Sequence, residues 1–230
     1  MSGGLKRRLV ELGVGADRVR VLRNGVDLAL FRPHDREAAR GTFGFKGPSL
    51  LAVGNLVALK RHSLMVEALT HLPEAELVMV GEGPERDNIE MLVRERKVAD
   101  RVRLLGRMPQ DRLPEIYSAA DLLLLVSTHE GWPNVLLESM ACGTPVVVSP
   151  MDGIADIVGA SEAGRILADD TPSGLASVIR ELLLSPPSRA ATRLYAEQFD
   201  WQSTTEGQIA LFHEILERRP KARRASPHAV

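Results

Sequence analysis

The chain has 230 residues, of which 44% are hydrophobic and 26% charged, with a single cysteine, Cys142. These proportions are typical of a globular chain with one large domain or slightly more, which needs no disulfide to maintain its core. The longest purely apolar run, 122–126, is far shorter than the roughly 20 residues of a membrane-spanning helix. The first residues carry no apolar signal core. A reducing, cytoplasmic location is therefore expected.

The net charge of −1 at pH 7 gives no reason to expect a nucleic-acid partner. Five basic residues nevertheless fall in the run RRPKARR at 218–224, which contains no acid. We interpret residues 218–230 as a solvated, flexible basic tail, as is typical of like-charge blocks. The alternative is contact with an anionic membrane surface, which would place the protein at the inner face of the membrane.

Short apolar runs alternate along the chain with segments of helical periodicity. Continuous apolar runs bounded by Gly, Pro, Asp or Asn predict strands that are buried on both faces. Strands that alternate with helices predict βαβ units, and hence an α/β fold with a doubly wound, parallel, Rossmann-like sheet of six or seven strands. Two further helices are predicted over 186–197 and 201–217. The strand candidates are 19–22, 50–53, 77–80, 102–105, 122–126, 146–148 and, more weakly, 165–167.

The loops that follow the strands are the candidate binding region, because ligands of doubly wound sheets bind beyond the carboxyl ends of the strands. All of these loops are rich in Gly, Pro or charged residues. They span residues 54–61, 81–85, 106–112, 127–134 and 149–153.

The stretch EGWPNVLLESMACGTPVVV at 130–148 contains the densest set of candidate residues. A helix is predicted from Pro133 to Ala141, because proline suits the first helical position. The unpaired amides of residues 134–136 would form an anion site at the helix start. Glu130 and Glu138 flank that start, and carboxylates suit the hydroxyl groups of sugars and ribose. The alternative is that both glutamates serve only to stabilise the helix locally.

A basic cluster, Lys60 to His62, follows the predicted strand at 50–53 and its turn, where Lys60 could reach a pyrophosphate as a point charge. The chain contains neither the phosphate-loop motif nor a complete G-x-G-x-x-G, which disfavours dinucleotide binding. The histidines are scattered without ligand spacing, so no metal site is predicted. Cys142 is predicted to be a small core residue.

Five segments of the chain match the motifs of one family in order: VLRNGVDLALFRP (21–33), VGNLVALKR (53–61), VGEGPER (80–86), LLGRMP (104–109) and the E-x7-E segment EGWPNVLLE with SMACGTPVV (130–147). Together they resemble the C-terminal, donor-binding half of retaining glycosyltransferase family 4, the glycosyl transferases group 1. The fold of that family is the GT-B arrangement of two Rossmann-like domains. The resemblance covers roughly residues 5–216.

The resemblance implies catalytic roles for Glu130, which would hold the sugar hydroxyls of the donor, and for Lys60, which would neutralise the departing diphosphate. Glu138 would bind the ribose. Asn55 stands where many relatives have arginine, so that Lys60 and Arg61 would supply the positive charge, and Pro133 stands where many have glycine. No metal or cofactor is implied, since the nucleoside diphosphate sugar is a co-substrate. The other implied donor-binding residues are Gly54, Asn55, Arg61, Glu82, Gly106, Arg107, Met108, Trp132, Asn134 and Val135.

The implied function is retaining transfer of a hexose from a nucleotide sugar to a glycan or lipid-linked acceptor. Residues 1–17 would form an interdomain lead-in, 18–197 the nucleotide-sugar-binding domain and 198–217 a helix that crosses to the other half. The acceptor-binding N-terminal domain of the family is expected to be missing, so the chain would be inactive without it or a partner chain. Two alternatives are a non-catalytic nucleotide-sugar-binding module or subunit, and a GT-B-like epimerase, for which no set of acid–base carboxylates is found.

Overall fold

In the computed structural model, which describes residues 3–218, six of the apolar runs form one parallel sheet. The strand order is β3-β2-β1-β4-β5-β6, so that the chain builds outward from β1 in one direction and then from β4 in the other. This order confirms the doubly wound, Rossmann-like α/β fold. The strands are β1 (Ser49–Val53), β2 (Glu76–Val80), β3 (Val102–Leu104), β4 (Leu122–Leu125), β5 (Val146–Val148) and β6 (Gly164–Ile166).

Helices cover both faces of the sheet, which explains why the strands are apolar at consecutive positions. Leu51 and Leu123 pack in one core, whereas their neighbours Leu50 and Leu122 pack in the other. The first core is covered by the helices at 36–43, 113–119, 134–141 and 189–196, and the second by the helices at 62–69, 86–95 and 172–184. Successive strand residues point to opposite faces, so each strand contributes to both cores. The helices are α1 (Gly3–Glu11), α2 (Arg36–Phe43), α3 (His62–Leu69), α4 (Arg86–Glu95), α5 (Leu113–Ala119), α6 (Asn134–Ala141), α7 (Pro172–Leu184), α8 (Arg189–Ala196) and α9 (Gln202–Arg218).

The strand predicted over 19–22 is wrong, because this segment pairs with no strand of the described chain. The segment that continues it is bound to the region where α9 begins. The amide of Val26 donates to the carbonyl of Phe199 at 2.8 Å. The hydroxyl of Thr204 donates to the carbonyl of Arg23. A segment that packs against a helix can be as apolar as a buried strand, so the sequence pattern does not distinguish the two.

Two further predictions concern single features. Cys142 is completely buried, which confirms its place in the core, and burial raises the pKa of its thiol to about 12. The basic tail predicted over 218–230 lies outside the described residues, apart from the backbone of Arg218 in α9. Within residues 3–218, no helix has the length and apolar character needed to cross a membrane.

Candidate functional site

The strand order reverses between β1 and β4, and this reversal brings two distant loops together at the carboxyl edge of the sheet. The amide of Thr128, after β4, donates to the carbonyl of Leu59, after β1, at 2.9 Å. Lys60 follows Leu59 directly, and Glu130 lies two residues after Thr128; these are the two residues to which the resemblance assigned catalysis. Lys60 Nζ lies 2.7 Å from Glu130 Oε1.

The Lys60–Glu130 ion pair is partly buried, with 16% of the lysine side chain and 17% of the glutamate side chain exposed. Ser127 Oγ donates to the same Glu130 oxygen at 2.7 Å. Lys60 also lies against Gly54, where an added Cβ would come within 3.5 Å of Nζ. The glycine that ends the first strand, the lysine and the glutamate therefore form one contiguous group.

Helix α6 begins beside this group, with its amino end uncapped by any side chain. It starts at Asn134, so the predicted start at Pro133 is wrong by one residue. Pro133 is the N-cap, with an extended ψ of 90°. The predicted free amide of Leu136 is also wrong, because it donates to the carbonyl of Pro133 at 3.1 Å. The amides of Asn134 and Val135 remain as the donors that a helix start leaves without intrahelical acceptors.

Glu138 lies in the second turn of α6 and binds a residue that sequence reasoning missed. Tyr117 Oη, from α5, donates to Glu138 Oε2 at 2.9 Å. Burial raises the pKa of Glu138, and the hydrogen bond from Tyr117 partly counteracts this rise. Tyr117 is completely buried, which raises its own pKa well above 10. Since Tyr117 sits among apolar neighbours in α5, its sequence context indicates only a core residue.

The loops after β2 and β3 form the other wall of the region. Leu56 donates its amide to the carbonyl of Glu82 at 2.9 Å, and the amide of Gly81 donates to the carbonyl of Gly106 at 2.8 Å. A Cβ on Gly81, whose φ is +147°, would lie 1.9 Å from the carbonyl oxygen of Gly54. Gly81 and Gly83 are part of an incomplete G-x-G-x-x-G pattern. Their lack of a side chain allows the loops after β1 and β2 to pack closely. The carboxylate of Glu82 is paired with Arg86 at 2.8 Å.

Arg61, which was expected to share the diphosphate charge with Lys60, is held by three groups of the protein. Its Nε donates to the carbonyl of Val126 at 2.6 Å, and its Nη2 donates to Ser149 Oγ at 2.7 Å. The same Nη2 lies 2.7 Å from a carboxylate oxygen of Asp170. Arg61 thus links the loop after β1 to the ends of β4 and β5, and no motif in the sequence indicates Asp170 as its partner.

The remaining candidate residues differ in their exposure. Asn55 and Arg107 are exposed, whereas Met108 packs against a core. The indole Nε1 of Trp132 is buried and finds no acceptor among residues 3–218. Asn24, which sequence reasoning had not assigned to the site, places its Nδ2 3.4 Å from Oδ1 of Asn134. In the described part of the chain, no cluster of three His, Cys, Asp or Glu side chains is arranged to hold a metal ion.

Comparison with known sequences identifies one family. The family described as "Glycosyl transferases group 1" matches residues 35–199. The chain is 35% identical to a D-inositol 3-phosphate glycosyltransferase of Acidothermus cellulolyticus, over 94% of this chain and 52% of that protein. It is 31% identical to the protein of that name in Mycolicibacterium smegmatis, over 90% of this chain and 51% of that protein. The chain thus spans about half the length of these relatives.

Solved structures show the same fold. Sucrose-phosphate synthase of Thermosynechococcus elongatus superposes with a TM-score of 0.86 and 28% identity, over 94% of this chain and 57% of that one. HepE of Anabaena, solved in complex with UDP and glucose, superposes with a TM-score of 0.83 and 22% identity. That similarity covers 93% of this chain and 61% of HepE. These structures confirm that the chain has the fold of one part of a GT-B glycosyltransferase.

Proposed function

Because the chain belongs to the glycosyl transferases group 1 family, we propose that it is the donor-binding part of a nucleotide-sugar-dependent glycosyltransferase. The observation that carries this proposal is the meeting of Lys60 and Glu130 at the reversal point of the sheet, beside the uncapped start of α6. A cation and a helix start suit a diphosphate, whereas a carboxylate suits sugar hydroxyls. These complementary groups lie together where doubly wound sheets bind ligands.

Each of these groups has a part in the proposed reaction. Lys60 and the amides of Asn134 and Val135 face the diphosphate and stabilise the negative charge that develops as it leaves. Glu138, held by Tyr117, accepts hydrogen bonds from the ribose hydroxyls. Glu130 accepts from the hydroxyls of the hexose. Since the protein supplies the charge stabilisation, the proposal requires no metal or cofactor.

The retaining stereochemistry and the hexose are carried over from the resemblance of residues 53–61 and 130–147 to the family. We place the acceptor site in a second half, because the chain spans about half the length of the relatives it matches. The exposed apolar side chains of Ile209, Phe212 and Leu216 support the presence of a neighbouring domain or partner chain against α9. The relatives are similar to this chain over the part that we propose binds the donor. This similarity therefore supports a shared class of donor more than it supports the acceptor that their names give.

The first experiment is a thermal-shift screen of the 230-residue chain with UDP-, GDP- and ADP-sugars. One of them is expected to raise the melting temperature, because a ligand at 100 times its Kd stabilises the folded state by about 2.7 kcal/mol. The chain alone is expected to transfer no sugar at a useful rate. Half a cleft forgoes the roughly 7–11 kcal/mol that come from holding two substrates in a reactive geometry. No shift with any nucleotide sugar would contradict the proposal.

A second experiment decides whether the chain is the donor half of an enzyme or a non-catalytic nucleotide-sugar-binding module. The exposed apolar residues of α9 are compatible with both, because a module could also bind a partner there. The chain is fused behind the N-terminal half of the Acidothermus cellulolyticus relative and assayed for glycosyl transfer. Transfer by the fusion, and its loss in the Lys60→Ala fusion, would identify the chain as the donor half of an enzyme. Binding of the donor without transfer, in a fusion that unfolds cooperatively, would favour a binding module.

A further inference from the structure

Lys60 and Glu130 are assigned to opposite parts of the donor, yet in the structure they bind each other at 2.7 Å. Fewer than one fifth of either side chain is exposed, so breaking this pair costs more than breaking a surface ion pair. We propose that the Lys60–Glu130 pair makes the site select an intact nucleotide sugar over the nucleoside diphosphate that remains after transfer. This inference rests on the proposed function and deepens it.

The selection follows from the partners available to Glu130. Within the described residues, Lys60 is the only cation paired with Glu130, and Ser127 is its only other donor. Arg61, the next residue along the chain, cannot replace Lys60, because Asp170 and two further acceptors hold its guanidinium. When a diphosphate draws the ammonium away, Glu130 is therefore left partly buried with a single hydroxyl donor.

The two ligands differ in what they offer to this carboxylate. A nucleotide sugar brings hydroxyl donors that replace the ammonium, so each group of the ion pair gains a new partner. A nucleoside diphosphate brings only further negative charge and leaves Glu130 unsatisfied, which is costly in a partly buried site. After transfer, renewed pairing of Lys60 with Glu130 would weaken the hold on the spent nucleotide and favour its release.

The test measures dissociation constants for UDP and UDP-glucose by calorimetry, with GDP and GDP-mannose or ADP and ADP-glucose as the pair if the screen selects them. Glu130→Gln is expected to tighten UDP by about 3- to 30-fold, since it removes the competitor for Lys60. It is expected to lower the preference for UDP-glucose over UDP by at least the same factor. In a Lys60→Ala background, Glu130→Gln should leave UDP affinity unchanged.

Asp87→Asn is the matched control. It removes the same charge from the start of α4, at the same edge of the sheet, but the Asp87 side chain is exposed and makes no hydrogen bond or ion pair within residues 3–218. The preference for UDP-glucose should not change in this variant. Ser127→Ala provides a second test, because it removes the donor that remains to Glu130. It should weaken UDP more than UDP-glucose.

Unchanged or weakened UDP binding in Glu130→Gln would overturn the inference. The Lys60 ammonium, which has three N–H donors, would then bind the diphosphate and the Glu130 carboxylate at the same time. Equal tightening of UDP in Asp87→Asn would also overturn it, because a long-range charge effect would then suffice. Both results leave the proposed function intact, since the wild-type chain still binds the nucleotides. Failure of all three nucleotide pairs to bind the wild-type chain would overturn the proposed function and the inference together.

Discussion

Glu138→Gln separates the proposed ribose contact from a merely structural role for this glutamate. The variant removes the charge but keeps an oxygen that can accept from Tyr117, which donates at 2.9 Å in the wild type. If Glu138 accepts from ribose hydroxyls, the amide presents NH2 where a hydroxyl donor lies. That mismatch should cost about 1–3 kcal/mol of binding, or roughly a 5- to 150-fold loss of affinity.

The stability of the same variant should change in the opposite direction. Burial raises the pKa of Glu138 above the ordinary value of 4.5, so the folded state disfavours its ionised form. A raised carboxyl pKa means that stability falls as pH rises from the unfolded pKa through the folded one, and stays reduced above it. Glutamine does not ionise. The variant should therefore melt at or above the wild-type temperature at neutral pH, with the advantage lost in acid.

Both readouts are needed to decide between the two roles. Melting temperature without nucleotide is measured from acid to neutral pH, and affinity for the nucleoside diphosphate selected by the screen is measured by calorimetry. Glu181→Gln is the control, because Glu181 lies on α7, is 62% exposed and pairs with Arg165 at 3.5 Å. A Glu138→Gln variant that melts lower than the wild type at neutral pH and binds the nucleotide equally well would refute the ribose contact.

Three further substitutions test other contacts of the site. Lys60→Ala should weaken the nucleoside diphosphate by about 1.5–3 kcal/mol and its nucleoside hardly at all, and equal losses in calorimetry would mean that Lys60 does not face the phosphates. Tyr117→Phe removes the hydrogen bond that lowers the pKa of Glu138, so nucleotide affinity should decline at a higher pH on acidification than in the wild type. An unshifted pH profile would contradict this. Arg61→Gln should lower the free energy of unfolding in urea by about 1.5–3 kcal/mol, because it leaves the carboxylate of Asp170 without its cation; unchanged stability would show that this link is dispensable.

The fold could be predicted from the sequence because its local signals agree with one another. Leu50–Val53 and Leu122–Leu125 are apolar at every position, which is the pattern of strands covered on both faces. Right-handed crossovers then restrict how such strands are joined. The same criterion predicted the six strands correctly and the strand at 19–22 wrongly. An apolar run shows that a segment is buried, but it does not show whether the segment pairs with a strand or packs against α9.

The sequence by itself determined the elements, the edge of the sheet where the loops meet and the residue types in those loops. It could not determine which of those residues bind one another. Lys60 and Glu130 are far apart in the chain and meet only because β1 and β4 are neighbours at the reversal of strand order. Tyr117 reaches Glu138 because α5 packs against α6, and Arg61 is held by a residue that precedes α7. Such pairings depend on how whole strands and helices pack, and the periodicity of a single segment does not indicate them.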